Sequence, residues 1–340
     1  MCRIYQWNQV PDNNRFNTIF LGNGASIAIH NAFNYASLHD YARLNNNVQR
    51  IFQDFETNNF EQVLHLLWIS SRVNSILGIQ ENETNNSYTL AREALIETII
   101  RVHPNYADIQ ASIRRAAIFL EQFESVININ YDLILYWIMF NNNANNQTHH
   151  KMKDGFLQNR HFSADWRNLR TPIRDERSVG MVFYPHGSYF LAEDLFGEVT
   201  KLTRPTEEGG NFLEYLNESY REGLQIPVFV SEGTSQHKLN AILQNSYLSR
   251  VYFDVIPSLQ GELLIFGWSL NQNDDHLVRA INWGNFSRVG ICVHDHNQVN
   301  EISARIHSIT RQYNNLNRNN QFLSDILFID AASSGLWINA

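Results

Sequence analysis

The chain has 340 residues, of which 44% are hydrophobic and 12% aromatic, and this is enough apolar material for a large core. Its 34 acidic and 26 basic residues leave a formal net charge of -8, which gives no electrostatic reason to expect direct binding to DNA or RNA. The two cysteines, Cys2 and Cys292, supply neither a disulfide framework nor a four-thiolate zinc site. We find no charged-then-apolar leader and no apolar run of membrane-spanning length, so we expect a soluble, cytoplasmic protein without membrane contact.

The first predicted element is a short apolar strand, Thr18 to Leu21, which stops abruptly at the glycine turn GNGAS at 22–26. The following IAIHNAF is compatible with a helix, so this region predicts a strand, a turn and a helix start. From Leu38 to Phe123 the apolar residues recur at helical spacing instead. We interpret residues 38–123 as a helical insertion.

Later strands are predicted from continuous apolar runs, at 125–129, 180–184, 226–230, 262–266, 289–293 and 325–329. Such runs are typical of strands that helices cover on both faces, and helical patterns do lie between them, at 133–140, 239–259, 274–281 and 298–313. The alternation favours an α/β fold with a Rossmann-like, doubly wound, mostly parallel sheet. Residues 1–37 and 124–340 would form this domain, with 38–123 inserted into it.

The glycine turn at 22–26 is the first candidate for chemistry. Gly22 and Gly24 would let the backbone approach a pyrophosphate, and the helix start would supply unpaired amides and a positive dipole. The hydroxyl of Ser26 adds one more donor. Because the full GxGxxG pattern is absent, an ordinary turn explains these residues about as well.

Polar residues follow three further predicted strands. Asn130 and Asp132 come after the second strand, where an asparagine amide can hold a ribose hydroxyl or a water, although both residues also suit helix capping. His186 comes directly after the strand at 180–184 and suits general-base chemistry, whereas most of the 13 histidines are expected to be structural. The element Gly267-Trp268-Ser269 ends another strand and also suits a plain strand-to-helix loop.

The order GNGAS, NYD, HG and GWS, each after a strand, resembles the sirtuin-like NAD-consuming enzymes of bacterial anti-phage defence. The resemblance implies a catalytic asparagine at Asn130 and a catalytic histidine at His186. It also implies three groups of residues that contact NAD+. These are the phosphate turn (Gly22, Asn23, Gly24, Ala25 and Ser26), the aspartate two residues after the asparagine (Asp132), and the late glycine-x-serine element (Gly267 and Ser269). The segment VSEGTSQHKLNAI is also similar to this branch of the family, without a role for its residues.

The resemblance implies an NAD+ glycohydrolase that releases nicotinamide and ADP-ribose, or its cyclic form. Lysine deacylation is disfavoured, because sirtuin deacylases carry a zinc module with two CxxC pairs that two distant cysteines cannot build. We expect no metal, since His294-Asp295-His296 lacks a further ligand. The alternative is a non-catalytic sensor or scaffold that binds NAD or ADP-ribose and regulates a partner ATPase. The resemblance also implies a homo-oligomer and a HerA-like hexameric ATPase as partner.

Overall fold

The computed structural model describes residues 3–33, 38–58, 60–79, 83–144, 149–194, 197–203, 212–222, 225–230, 234–314 and 326–336. The strands are β1 (Ile4–Tyr5), β2 (Phe16–Leu21), β3 (Ser125–Asn128), β4 (His150–Lys153), β5 (Ser178–Phe183), β6 (Gly187–Glu193), β7 (Val199–Lys201), β8 (Ile226–Phe229), β9 (Gln260–Phe266), β10 (Asn285–Val293) and β11 (Ile326–Asp330). The helices are α1 (Asn23–Ile29), α2 (Leu38–Tyr41), α3 (Asn46–Asp54), α4 (Phe60–Ile76), α5 (Glu83–Val102), α6 (Tyr106–Leu120), α7 (Ile134–Ala144), α8 (Phe212–Glu222), α9 (Ser235–Gln244), α10 (Ser246–Arg250), α11 (Asp275–Asn282) and α12 (Val299–Asn314). None of the helices in the described part of the chain is both long and apolar enough to span a bilayer.

Eight strands form one sheet in the order β1-β11-β10-β9-β2-β3-β5-β4, and every neighbouring pair is parallel. Helices flank this sheet, so its central strands are buried on both faces. In β3 all four residues are buried, and Val126 and Ile127 have no exposed surface. A parallel strand covered on both faces requires apolar side chains on both sides, which explains the continuous apolar runs. The predicted Rossmann-like α/β fold is confirmed.

The strand order reverses between β2 and β9. After β2, the strands β3, β4 and β5 are all added on one side of β2. The chain then returns to β9, which pairs with the other side of β2, and β10 and β11 follow beyond β9. In open parallel sheets, the loops at the carboxyl ends of the strands on either side of such a reversal diverge and leave a crevice that ligands occupy. The loops that follow β2 and β9 are those that carry Gly22 and Gly267.

A second, three-stranded antiparallel sheet has the order β7-β6-β8. The strand predicted at 226–230 is therefore present as β8, but it lies in this second sheet. The sequence analysis did not predict β4. Its short alternating sequence HKMK follows an asparagine-rich segment and gives a weak strand signal. In β4, His150 is buried and its Nδ1 lies 2.9 Å from Ser178 Oγ.

In the part of this segment that the structure describes, helices α2 to α6 lie between α1 and β3 in the sequence. Their buried side chains, such as Leu95 and Ile113, belong to the same continuous hydrophobic core as those of the sheet, such as Val126. Helix α6 packs against α7, which follows β3 directly. The helical segment therefore shares a core with the sheet, and the division into a domain and an insertion at 37/38 and 123/124 stays a prediction.

Candidate functional site

Glycines at the ends of β2 and β9 bring two loops into direct backbone contact at the reversal point. Gly22 N donates to Phe266 O at 2.9 Å, and Gly24 N donates to Gly267 O at 2.8 Å. A Cβ atom on Gly24 would lie 2.7 Å from Gly267 Cα, so no larger residue fits without backbone movement. The amides of Gly22 and Gly24 thus pair with carbonyl groups of the neighbouring loop, and Ala25 N pairs with Gly22 O at 2.9 Å.

The predicted NYD element joins this turn through side chains. Asn130 Nδ2 donates to Gly22 O at 2.9 Å and to Ser26 Oγ at 3.0 Å, and Ser26 Oγ donates to Asp132 Oδ2 at 2.6 Å. We call Ser26, Asn130 and Asp132 the asparagine cluster, and all three residues are buried. Asp132 Oδ1 also accepts from Ile134 N at 2.8 Å. One carboxylate oxygen of Asp132 therefore binds the backbone of the first residue of α7, while the other oxygen faces Ser26.

Burial raises the pKa of Asp132 to about 6, although hydrogen bonds from Ser26 and from the Ile134 backbone favour the carboxylate and lower it. The cluster lines a cavity of about 20 Å³ together with apolar side chains of β2, α1 and α7. A cavity of this size holds about one water molecule. A dinucleotide is much larger than this cavity.

His186 lies at the next strand end, after β5, and only 3% of its surface is exposed. Its Nε2 lies 2.9 Å from His276 Nε2. The backbone of Ile129, the residue before Asn130, lies near enough to the ring to raise the pKa of His186 slightly against burial. His186 and Asn130 therefore lie at adjacent strand ends, and no hydrogen bond found for the described residues joins their side chains directly.

His276 is the main component that sequence reasoning missed. It lies in the first turn of α11, where its backbone N donates to Ser235 Oγ at 2.8 Å and its Nδ1 lies 3.2 Å from the same oxygen. Tyr252 OH donates to the His276 carbonyl at 2.8 Å. A histidine in a helix carries no local signal for this role, because its partners come from α9, from the π-helical turn after α10 and from the loop after β5.

Asp274 is the N-cap residue of α11, but its side chain makes no capping hydrogen bond and forms a largely buried ion pair. Lys238 Nζ lies 2.8 Å from Asp274 Oδ1, and Trp268 Nε1 donates to Asp274 Oδ2 at 2.9 Å. Within the GWS element, it is therefore the side chain of Trp268 that contacts Asp274, whereas Ser269 is exposed on the loop. Burial raises the pKa of Asp274, but the electrostatic interactions with His186 and Lys238 and the hydrogen bonds from Lys238 and Trp268 together outweigh burial and lower it.

We call His186, Asp274 and His276 the histidine cluster. Burial lowers the pKa of His186 well below its usual range, and the charge of Lys238 lowers it further. Burial also lowers the pKa of His276 to about 4, against the opposing effect of Asp274. Both imidazoles are therefore neutral at pH 7, and each has a ring nitrogen lone pair, although burial makes each ring a weaker base than a free imidazole. His294 and His296, the other pair considered from the sequence, are exposed.

The fold and these clusters define an α/β protein of the Rossmann-like class in which two groups of buried polar side chains lie at the carboxyl edge of a parallel sheet. The chain belongs to the DUF4917 family, which is described as a domain of unknown function and whose model matches residues 19–337. That span includes both clusters. Among proteins with curated descriptions, no significant match to the chain is found.

Proposed function

We propose that the chain is an NAD+ glycohydrolase that binds the dinucleotide where the strand order reverses. One observation carries the proposal. The four elements GNGAS, NYD, HG and GWS, distant in sequence, meet at one edge of the sheet, and Asn130 joins the glycine turn by hydrogen bonds of 2.9 and 3.0 Å. This edge is where open parallel sheets bind ligands.

In the proposed reaction water attacks the anomeric carbon of the nicotinamide ribose. The bond from this carbon to the nicotinamide nitrogen breaks, its electron pair stays on nicotinamide, and His186 accepts the proton of the water. Asn130 would orient the ribose or the water, because its side chain lines the water-sized cavity. Attack by a ribose hydroxyl in place of water would give the cyclic product.

The geometry of His186 adds one requirement. Its Nε2 is 2.9 Å from His276 in this conformation, so a substrate hydroxyl or water must take the place of His276 before it can give a proton to that nitrogen. The proposed reaction therefore includes separation of the two rings when the substrate binds.

The test is incubation of the full chain with NAD+, followed by chromatography of the products. We expect nicotinamide and ADP-ribose, or its cyclic form, from the wild type and from His237→Ala, which changes an exposed histidine. Asn130→Ala and His186→Ala should lose activity by at least about a hundredfold, the usual scale for a general base. Full activity in both variants would refute the assigned roles.

A second candidate is a non-catalytic receptor for NAD or ADP-ribose that regulates a partner. The hydrogen-bonded state of the His186 ring favours it, because a receptor does not need a histidine that can accept a proton. It predicts that NAD+ raises the unfolding temperature in a concentration-dependent manner while no nicotinamide is released. Thermal unfolding with and without NAD+, done beside the product assay, distinguishes the two candidates.

The proposed cellular role is an effector of anti-phage defence in the cytoplasm, acting as a homo-oligomer with a HerA-like hexameric ATPase. Apolar side chains at helical spacing on α4 support an assembly surface, since Ile69, Val73 and Ile76 are 41%, 45% and 79% exposed. Size measurement of the chain alone and with such an ATPase tests the proposal. A monomer in both samples would contradict it.

A further inference from the structure

The histidine cluster has the composition and placement of a metal site. One ligand atom from each of His186, Asp274 and His276 lies within 4.8 Å of the other two, and the two histidines are buried while the side chain of Asp274 is 13% exposed. The side chains come from the loop after β5 and from the start of α11, so the fold brings them together. Two imidazoles and one carboxylate are a common ligand set for divalent transition metals.

The two imidazoles point their Nε2 atoms at each other, 2.9 Å apart. Without a metal, one of these atoms must carry a hydrogen for the contact to be favourable. If that hydrogen is on His276, it can move to Nδ1, where Ser235 Oγ lies 3.2 Å away and can accept it. Both Nε2 lone pairs would then face a common point, and no proton would be released.

The outer contacts of the two rings match those of metal-binding histidines. Such histidines almost always hydrogen-bond through their second nitrogen to a carbonyl, carboxylate or water, and this fixes the ring orientation and the tautomer. Here Ser235 Oγ lies 3.2 Å from Nδ1 of His276, and the backbone of Ile129 lies near the ring of His186. The ring of His276 is therefore oriented by a hydroxyl group at its second nitrogen.

The carboxylate of Asp274 accepts one hydrogen bond at each oxygen, from Lys238 and from Trp268. Each carboxylate oxygen has a second lone pair, which leaves room for a metal ion. The ammonium group of Lys238 already compensates the buried charge, and its repulsion of a second cation reduces the affinity of the site. A metal that binds imidazole strongly is therefore required.

We propose that His186, Asp274 and His276 bind one divalent transition-metal ion of the zinc class. The two Nε2 atoms and one carboxylate oxygen are the protein ligands. The proposal goes beyond the NAD+ reaction and does not depend on it. If the chain does cleave NAD+, zinc should inhibit the cleavage, because the metal takes the Nε2 lone pair with which His186 would accept the proton.

The experiment uses the full chain after treatment with a chelator, titrated with Co²⁺ as a spectroscopic probe and then with Zn²⁺. We expect one Co²⁺ per chain, with visible absorption typical of four- or five-coordinate cobalt that Zn²⁺ abolishes by displacement. His276→Asn should lose this absorption, whereas His237→Asn, the exposed control on α9, should keep it. Ser235→Ala should weaken binding by about 10- to 100-fold through loss of the outer contact.

Circular dichroism of each variant shows whether it is folded. If His276→Asn does not fold, X-ray absorption of the wild type alone tests the proposal. X-ray absorption at the zinc edge of the wild type should show two imidazole nitrogens bound to the metal. The proposal is overturned if the wild type binds no metal, if the absorption persists in folded His276→Asn, or if the zinc edge shows no imidazole ligands. None of these readouts uses NAD+, so failure of the metal site and failure of the proposed reaction are separate results.

Discussion

Substitution of Gly267 by alanine should disrupt the contact between the loops after β2 and β9. Gly267 has φ of +68°, in the left-handed region, and an added Cβ would lie 2.3 Å from Ala25 N and 2.6 Å from Gly24 C. Both atoms belong to the backbone of the glycine turn, so the overlap cannot be relieved by a side-chain rotation. The two loops would have to separate.

The expected loss in the free energy of unfolding of Gly267→Ala has two parts. A left-handed φ costs a non-glycine residue about 1 kcal/mol, and overlap in a close-packed place costs about 2 kcal/mol more. Gly78 has the same φ of +68°, and an added Cβ there would have no heavy atom within 4 Å, so Gly78→Ala should show the first part alone. Gly24→Ala should show mainly the second part, reduced by the better helix propensity of alanine.

Equilibrium unfolding in urea measures these differences through the midpoints of the three variants and the wild type. Gly267→Ala should lose about 3 kcal/mol and Gly78→Ala about 1 kcal/mol. If the two variants lose the same amount, the close approach of the loops does not contribute to stability, and the structural explanation of the glycine turn is wrong.

Two further predictions concern buried charge. The pKa of Asp132 is raised from 3.8 to about 6, so the wild type should lose about 3 kcal/mol of stability relative to Asp132→Asn as the pH rises from below about 3 to above about 7. Parallel pH curves in urea unfolding would exclude the shift. Lys238→Met leaves the carboxylate of Asp274 without its ion-pair partner and should lower the free energy of unfolding by about 3 kcal/mol or more. Adding Asp274→Asn to the same chain should restore most of this loss. Equal urea midpoints for the single and double variants would contradict the prediction.

The glycine turn shows how one sequence feature supports two physical roles. Glycines at 22 and 24 were expected to admit a pyrophosphate, and in this conformation they admit the neighbouring loop instead. Both roles need a backbone without side chains, so the sequence cannot separate them. A ligand that enters at this edge would exchange one close contact for the other, which links binding to loop movement.

Several parts of the site were accessible from the sequence. Apolar runs identified β2, β3, β5 and β9, and the polar residues that follow parallel strands necessarily lie at the same edge of the sheet. For this reason Asn130 and the glycine turn could be placed near each other from the sequence alone. Their hydrogen bond depends on that shared edge and on the adjacency of β2 and β3.

Other parts were decided by tertiary structure. Three contacts join segments whose local sequence suits an ordinary helix or loop. They are those of His186 with His276, of Lys238 with Asp274 and of Trp268 with Asp274. Strand β8 has the same local pattern as the strands of the main sheet and yet pairs with β6. Local sequence determines which segments become strands and helices, since backbone preference and side-chain periodicity act over a few residues. The partners of a buried polar side chain depend on which distant segments the packed core brings beside it.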